Sequence, residues 1–232
     1  MKRYFGVSKG IAATVTGVVA IAAMLAMTMP SALAGSPLAP TGDQPATGHC
    51  DRTMTGRNNA VINVPAPRTY CLVNLKQIGA VNVAPGAGLS VTGGSIINGA
   101  ITLVAAKAFT FCASSTKQGA IKSSRGAGFI LIGNGGDGVG ATRCGANHID
   151  GAVTLAGNGG GVEVGGNSIV GGLTVSGNLA PNRGIPTEDS ATEIEANVVT
   201  GLTTCANNDP APVNDGRKNT FTGGVKGQCV GL

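Results

Sequence analysis

The chain has few of the side chains that usually build a globular core. Tryptophan is absent, and aromatic residues make up 3% of the 232 positions. Thick two-layer cores draw much of their buried area from large rings, so a conventional core is not expected. Sugar sites that stack a ring on tyrosine or tryptophan have one candidate beyond the first few residues, Tyr70. Charged residues are sparse at 12%, the only histidines are His49 and His148, and no C-x-x-C pair occurs. Those gaps argue against zinc sites and thiol-redox motifs. Neither a metal nor a cofactor is expected.

Long apolar runs are also lacking, with one exception. Lys2, Arg3 and Lys9 precede an apolar stretch from Ile11 to Met27, and Ala32-Leu33-Ala34 follows it. A basic start, an apolar middle and a small-x-small ending predict a signal peptide over residues 1–34, hence a secreted, extracellular protein. No later stretch approaches the ~20 apolar residues that cross a bilayer, so the mature protein is expected to lack a transmembrane anchor. The formal charge of +5 includes the three leader cations, and the remaining 13 basic and 11 acidic residues nearly cancel. That balance gives no electrostatic case for nucleic acid. Residues 35–49, rich in Pro, Gly, Ala and Thr, read as a flexible linker before a folded domain spanning 50–232. Leu38-Ala39-Pro40-Thr41-Gly42 has the form of a sortase signal but sits at the wrong end of the chain.

What the chain does have is a period of about twenty residues and 39 glycines. Val81-Asn82-Val83, Ile101-Thr102-Leu103 and Ile121 are spaced by twenty, as are Val153-Thr154-Leu155 and Leu173-Thr174-Val175. A fixed period of apolar-polar-apolar triplets predicts an all-β, single-stranded parallel β-helix (a β-solenoid) of about eight coils. Right-handed winding is the default, because left-handed solenoids favour six-residue steps. The first strands are indexed by Ile62, Val81, Ile101, Ile121, Val153, Leu173, Leu202 and Val225, the longer gaps being loop insertions. Strand parity then points Asn63, Asn82, Thr102, Lys122, Thr154, Thr174, Thr203 and Lys226 outward. Lys and Asn interrupt this row too often for an ice-binding threonine array. Second strands are Leu89-Ser90-Val91, Phe109-Thr110-Phe111, Phe129-Ile130-Leu131 and Val162-Glu163-Val164, with Ile194 continuing the row.

A third segment follows an N-x-apolar-x-G rule: Asn147 to Gly151, Asn167 to Gly171, Asn197 to Gly201 and Asn219 to Gly223, with Ser95 in the asparagine position of an earlier coil. The asparagines are expected at corners, each amide bonding to turn backbone and to the asparagine above. The glycines are expected to supply positive φ at the next corner. Lys117 and Gln77 fall where inward apolar residues belong, which signals a register slip or a local irregularity.

Six cysteines in an exported chain read as disulfides. Cys50 and Cys71 are one coil apart, Cys112 and Cys144 one coil plus a twelve-residue insertion, and Cys205 and Cys229 one coil plus four. Sequential pairing would staple neighbouring coils.

A polysaccharide-cleaving site would need two carboxyls ~5–9.5 Å apart across a groove. Glu163 is the strand carboxylate that parity points outward, with Ile130 and Ser90 in its row, and Glu193 and Glu195 flank Ile194 one coil on. A lone outward carboxylate is ordinarily a solvated surface charge, so no catalytic residue is expected. Glu163, Glu193 and Glu195 form the alternative set. His148 and Asp150 share a parity, and Gly133-Asn134-Gly135-Gly136-Asp137-Gly138-Val139 is a single copy of a motif that binds calcium only in tandem.

Cys205 to Pro212 and Asn219 to Cys229, together with the repeats Ile149–Leu155 and Ile169–Val175, resemble a family of secreted actinobacterial proteins of unassigned function. That family carries T-V-x-G-N-V-x-V-like repeats and a G-Q-C ending after a Pro-rich loop. The resemblance covers about residues 50 to 229 and implies a secreted parallel β-helix, with no activity or site residues to transfer. The Cys112 and Cys144 pair and the loops near 134–145 and 179–191 depart from the pattern. The expectation is a structural or adhesive protein of the cell envelope or extracellular space, partnered by polysaccharide or protein there. The alternative is a polysaccharide-binding or polysaccharide-cleaving β-helix.

Overall fold

The structure, a computed structural model, describes residues 49–134, 144–179 and 191–232. The stretches expected to be a signal peptide and a linker, up to residue 48, and most of the glycine-rich stretch after Asn134 lie outside the described residues. Among those described, the regular structure is all strand. The strands stack in parallel into a β-solenoid whose coils each present three faces.

The first face holds eight strands in chain order: Ile62–Val64, Val81–Val83, Ile101–Val104, Ile121–Ser124, Val153–Ala156, Leu173–Ser176, Thr203–Ala206 and Val225–Gly227. The long strand Thr69–Ile78 turns a corner at Asn74 (φ 50°) and so serves both other faces. Its first half opens the second face, which continues through Gly88–Thr92, Ala108–Phe111, Ile130–Ile132, Val162–Gly165 and Glu193–Glu195. Its second half opens the third face, which continues through Ile96–Asn98, Ser115–Lys117, His148–Ile149, Ser168–Ile169, Val198–Val199 and Thr220–Phe221. Arg52–Asn58 pairs with Thr69–Ile78 from Tyr70 to Gln77, with a register shift between Met54 and Gly56, and closes that end, with Met54 packed on the core and the Arg52 guanidinium 5.5 Å from the Tyr70 ring centre.

Alternation explains the core. On the first face, residues two apart point inward, so Ile101 and Leu103, Val153 and Leu155, and Leu173 and Val175 are fully buried while the residue between them reaches solvent. The inward rows of three faces meet in one narrow apolar stack, widest at Phe109 and Phe111, whose rings lie 6.3 Å apart. Branched aliphatics fill such a thin interior without large rings. Disulfides join Cys50 to Cys71, Cys112 to Cys144 and Cys205 to Cys229.

The register differs from the sequence-based indexing at three places. Thr203, not Leu202, pairs with Leu173. Thr203 is therefore buried and Thr204 takes the outward position, while Leu202 is 44% exposed at the corner. Cys205 decides this parity, since it must face inward to meet Cys229. The second-face triplet is Ile130-Leu131-Ile132 rather than Phe129-Ile130-Leu131. Phe129 packs instead on an outer cluster with Cys112, Leu131 and Cys144. Lys117 is exposed because Thr116 pairs with Ile97 and takes the buried site. Gln77 does point inward. It is fully buried, donates to the Ala60 carbonyl at 2.8 Å and accepts from the Asn58 amide at 2.6 Å.

The motif glycines serve close approach rather than positive φ. Gly151, Gly171, Gly201 and Gly223 stack at the corner between the third and first faces without left-handed φ, and Gly99 alone of the motif set has one (147°). A Cβ on Gly171 would sit 2.5 Å from the Gly151 carbonyl, and one on Gly223 2.4 Å from the Gly201 carbonyl carbon. Any side chain there would force the coils apart.

Candidate functional site

Two of the three corners carry ladders of buried amides. Between the second and third faces, Asn147 donates to the Asn167 side-chain oxygen at 2.8 Å, Asn167 to that of Asn197 at 2.9 Å, and Asn197 to that of Asn219 at 2.9 Å. Each of the four also donates at 2.7 Å to a backbone carbonyl of the previous coil: Phe111, Ile132, Val164 and Ile194 in turn. The side-chain oxygens of Asn197 and Asn219 also accept the backbone N–H of the asparagine before, Asn167 at 3.1 Å and Asn197 at 3.0 Å, and that of Asn147 accepts from Ser114 N–H at 2.9 Å. In an earlier coil the Ser95 hydroxyl does this work, accepting from Leu75 N–H and donating to the Thr92 carbonyl.

A second ladder joins the first and second faces. It runs Asn158, Asn178, Asn208 and Gln228, with amide-to-amide distances of 2.8, 3.0 and 3.1 Å. Ser123 starts it by donating to the Asn158 oxygen at 3.0 Å. Sequence reasoning missed this ladder, although Gly157-Asn158, Gly177-Asn178, Asn207-Asn208 and Gly227-Gln228 each follow a first-face strand.

The candidate carboxylates lie on the outer side of the second face. Glu163 stacks on Leu131 and on Glu193, and the same register line runs back through Thr110, Ser90 and Cys71; Ile130 is not in it. Neighbouring strands ~4.8 Å apart bring the Glu163 and Glu193 backbones near the separation of a retaining carboxylate pair. These carboxylates are, however, buried. Glu163 is 1% exposed, Glu193 3% and Glu195 0%, so the expectation of a solvated Glu163 is overturned. Leu131, Cys112 and Cys144 form an apolar cluster beside Glu163, and Val213 bridges to Glu193. Arg217, four residues after Val213, places Nη1 3.6 Å from the Glu195 carboxylate.

The open surface is elsewhere. On the first face Asn63, Asn82, Thr102 and Lys122 stand in one outward register line, and Asn82 donates to Asn63 at 3.0 Å. Beside them runs a shallow depression of about 380 Å³, walled on the other side by Pro65, Pro85 and Val104. No aromatic ring flanks it. Tyr70 is 6% exposed and covered by Arg52, so stacking of a sugar on it is ruled out.

Charge is distributed unevenly along the solenoid. Residues 49–134 hold eight lysines and arginines, all exposed, against a single acid, Asp51. Residues 144–179 and 191–232 hold six acids and three bases. Asp51 accepts the Thr69 N–H at 2.6 Å, and that bond, with His49, Lys107 and Arg68 nearby, holds its carboxyl below the ordinary value. The near-neutral total thus conceals a basic half and a half that is acidic by composition, where three of the six acids, Glu163, Glu193 and Glu195, are buried.

His148 and Asp150 both lie on the outer side of the third face, His148 exposed and Asp150 half-buried, with the Asp150 carboxylate accepting from Gln118 N–H at 3.3 Å. Asp137 of the glycine-rich motif lies outside the described residues. Among the described residues, no three His, Cys, Asp or Glu side chains converge as metal ligands, and no helix is long and apolar enough to cross a membrane.

Fold, ladders and cystines together define the class: a disulfide-bonded parallel β-solenoid. Compared with family models, curated proteins and solved structures, the chain matches none.

Proposed function

We propose that the protein is a non-catalytic structural or adhesive solenoid of the cell envelope or extracellular space. The burial of Glu163, Glu193 and Glu195 carries this reading, because it removes the one carboxylate set that sequence and register bring together. Three cystines among the described residues fit an oxidising compartment, and the leader-like N-terminus and the G-Q-C ending agree with export. A rigid stack of coils held by backbone bonds and amide ladders suits a protein that presents a surface.

The test is a panel of cell-envelope and plant polysaccharides incubated with purified protein, with release of reducing ends as the readout. No release is expected from wild type or from Glu163→Gln. Release by wild type that Glu163→Gln abolishes would establish the alternative, a polysaccharide-cleaving β-helix.

A further inference from the structure

We infer that the first face of the N-terminal coils binds an acidic polysaccharide along the Asn63, Asn82, Thr102 and Lys122 line. The inference rests on the adhesive reading above and names the partner.

Three observations converge on this surface. The first is shape: the depression of about 380 Å³ follows the solenoid axis and is lined by side chains that repeat once per coil. A groove with a period in it suits a polymer with a period in it. The second is chemistry. The depression is mostly apolar, walled by Pro65, Pro85 and Val104, and Asn63, Asn82 and Thr102 place two amides, already bonded to each other, and a hydroxyl along one side. Sugars present hydroxyls and apolar ring faces to such a surface. The third is charge. Lys122 follows Thr102 in the register line, and Lys117 lies just across the adjoining corner, on the third face, in line with Asn98 and Ile78; Arg57 and Lys76 pair with each other on that face, one register line away. Arg68, Lys107 and Arg125 lie at the opposite corner, between the first and second faces, all exposed. Cations therefore flank the groove on both sides, and Asp51 is the only acid among residues 49–134.

That placement selects a polyanion with regularly spaced charges over a neutral glycan, for which the surface lacks stacking rings. Single-stranded nucleic acid is disfavoured by the same lack, because single strands bind on aromatic platforms. A lipid surface is disfavoured because, of the large apolar side chains exposed, only Val61 belongs to this half.

The experiment measures binding of the disulfide-intact protein to polygalacturonate, which carries one carboxylate per sugar, by titration calorimetry at about 50 mM and about 200 mM salt, where ionic contacts weaken steeply. Wild type is expected to bind polygalacturonate, to bind more weakly at the higher salt, and to ignore dextran. Combined Lys117→Glu, Lys122→Glu and Arg125→Glu substitutions should weaken binding at least about tenfold. Combined Lys218→Glu and Lys226→Glu substitutions, in the acidic half, should leave it within about twofold. Melting curves check that each variant folds. Equal binding to dextran, equal loss in the two variants, no binding by wild type, or tighter binding to duplex DNA or to anionic vesicles would each overturn the inference. Binding accompanied by depolymerisation would overturn the non-catalytic reading and leave the binding surface standing.

Discussion

At the residue scale, the asparagines hold the corners because an amide is both donor and acceptor on one short stem. Asn167 shows the full set: it accepts from Asn147, and it donates to the Ile132 carbonyl and to Asn197. A leucine of similar size would leave those buried groups unmet, and an aspartate would set oxygen against oxygen. Asn167→Ala is expected to destabilise the fold by about 1–3 kcal/mol, the cost of stranding a buried polar group, read from the midpoint of urea unfolding with disulfides intact. A change below a few tenths would mean the ladder is ornamental. Asn147, Asn167, Asn197 and Asn219 were legible because their motif repeats and ends on the same glycine. Asn158, Asn178 and Asn208 were not singled out, because each sits in a turn where asparagine is common for local reasons. Only their shared offset from the preceding strand marks them. The burial of Glu163 was illegible for another reason. Strand parity tells which side of a sheet a residue faces, not whether a further layer lies over that side.

At the element scale, each strand is too short to be stable alone, at two to five residues in most coils. Stability comes from stacking each strand between two others in register, so anything that spreads one corner disturbs two coils. The glycine corner makes this testable. Gly171→Ala would place a methyl 2.5 Å from the Gly151 carbonyl, and the separation it forces should cost about 1–3 kcal/mol, as overpacking does. Gly157→Ala makes a useful contrast, since a Cβ there meets nothing within 4 Å and only its φ of 63° resists the change. The melting temperature should fall more for Gly171→Ala, and the reverse order would contradict close stacking. Strand positions were readable wherever the period held. The three slips, at Leu202, Phe129 and Lys117, come where insertions or a shortened corner break the period, and there an apolar residue attracts the indexing although the backbone has moved on by one. Cys205 carried the correct parity throughout, because a cystine inside the stack must alternate with its neighbours.

At the scale of the whole molecule, a solenoid converts sequence order into position along an axis. Composition differences between the two halves of the chain therefore become differences between two ends of a body. The summed charge hid this, since the surplus of bases in residues 49–134 is offset by acids later in the chain. Counting by coil would have exposed it. The same conversion explains why the cystine partners could be read from spacing: Cys50 and Cys71 are 21 apart and Cys205 and Cys229 24 apart, each close to one turn. It explains equally why the function could not, since the interior stack fixes most residues for reasons of fold and leaves few free to advertise chemistry.

The claim beneath all of this is that residues paired in register lie directly over one another in successive coils. Cysteines introduced on the outward line of the first face test it. Thr154 pairs with Thr174, and Thr174 with Thr204, so Thr154→Cys with Thr174→Cys places two thiols across neighbouring strands. Their α-carbons would be ~4.8 Å apart, within disulfide reach, whereas Thr154→Cys with Thr204→Cys would span about twice that distance. Non-reducing peptide mapping after mild oxidation should find the first pair joined and the second unjoined within one chain. Joining of the second pair in place of the first would contradict the stacking and, with it, the ladders and the groove.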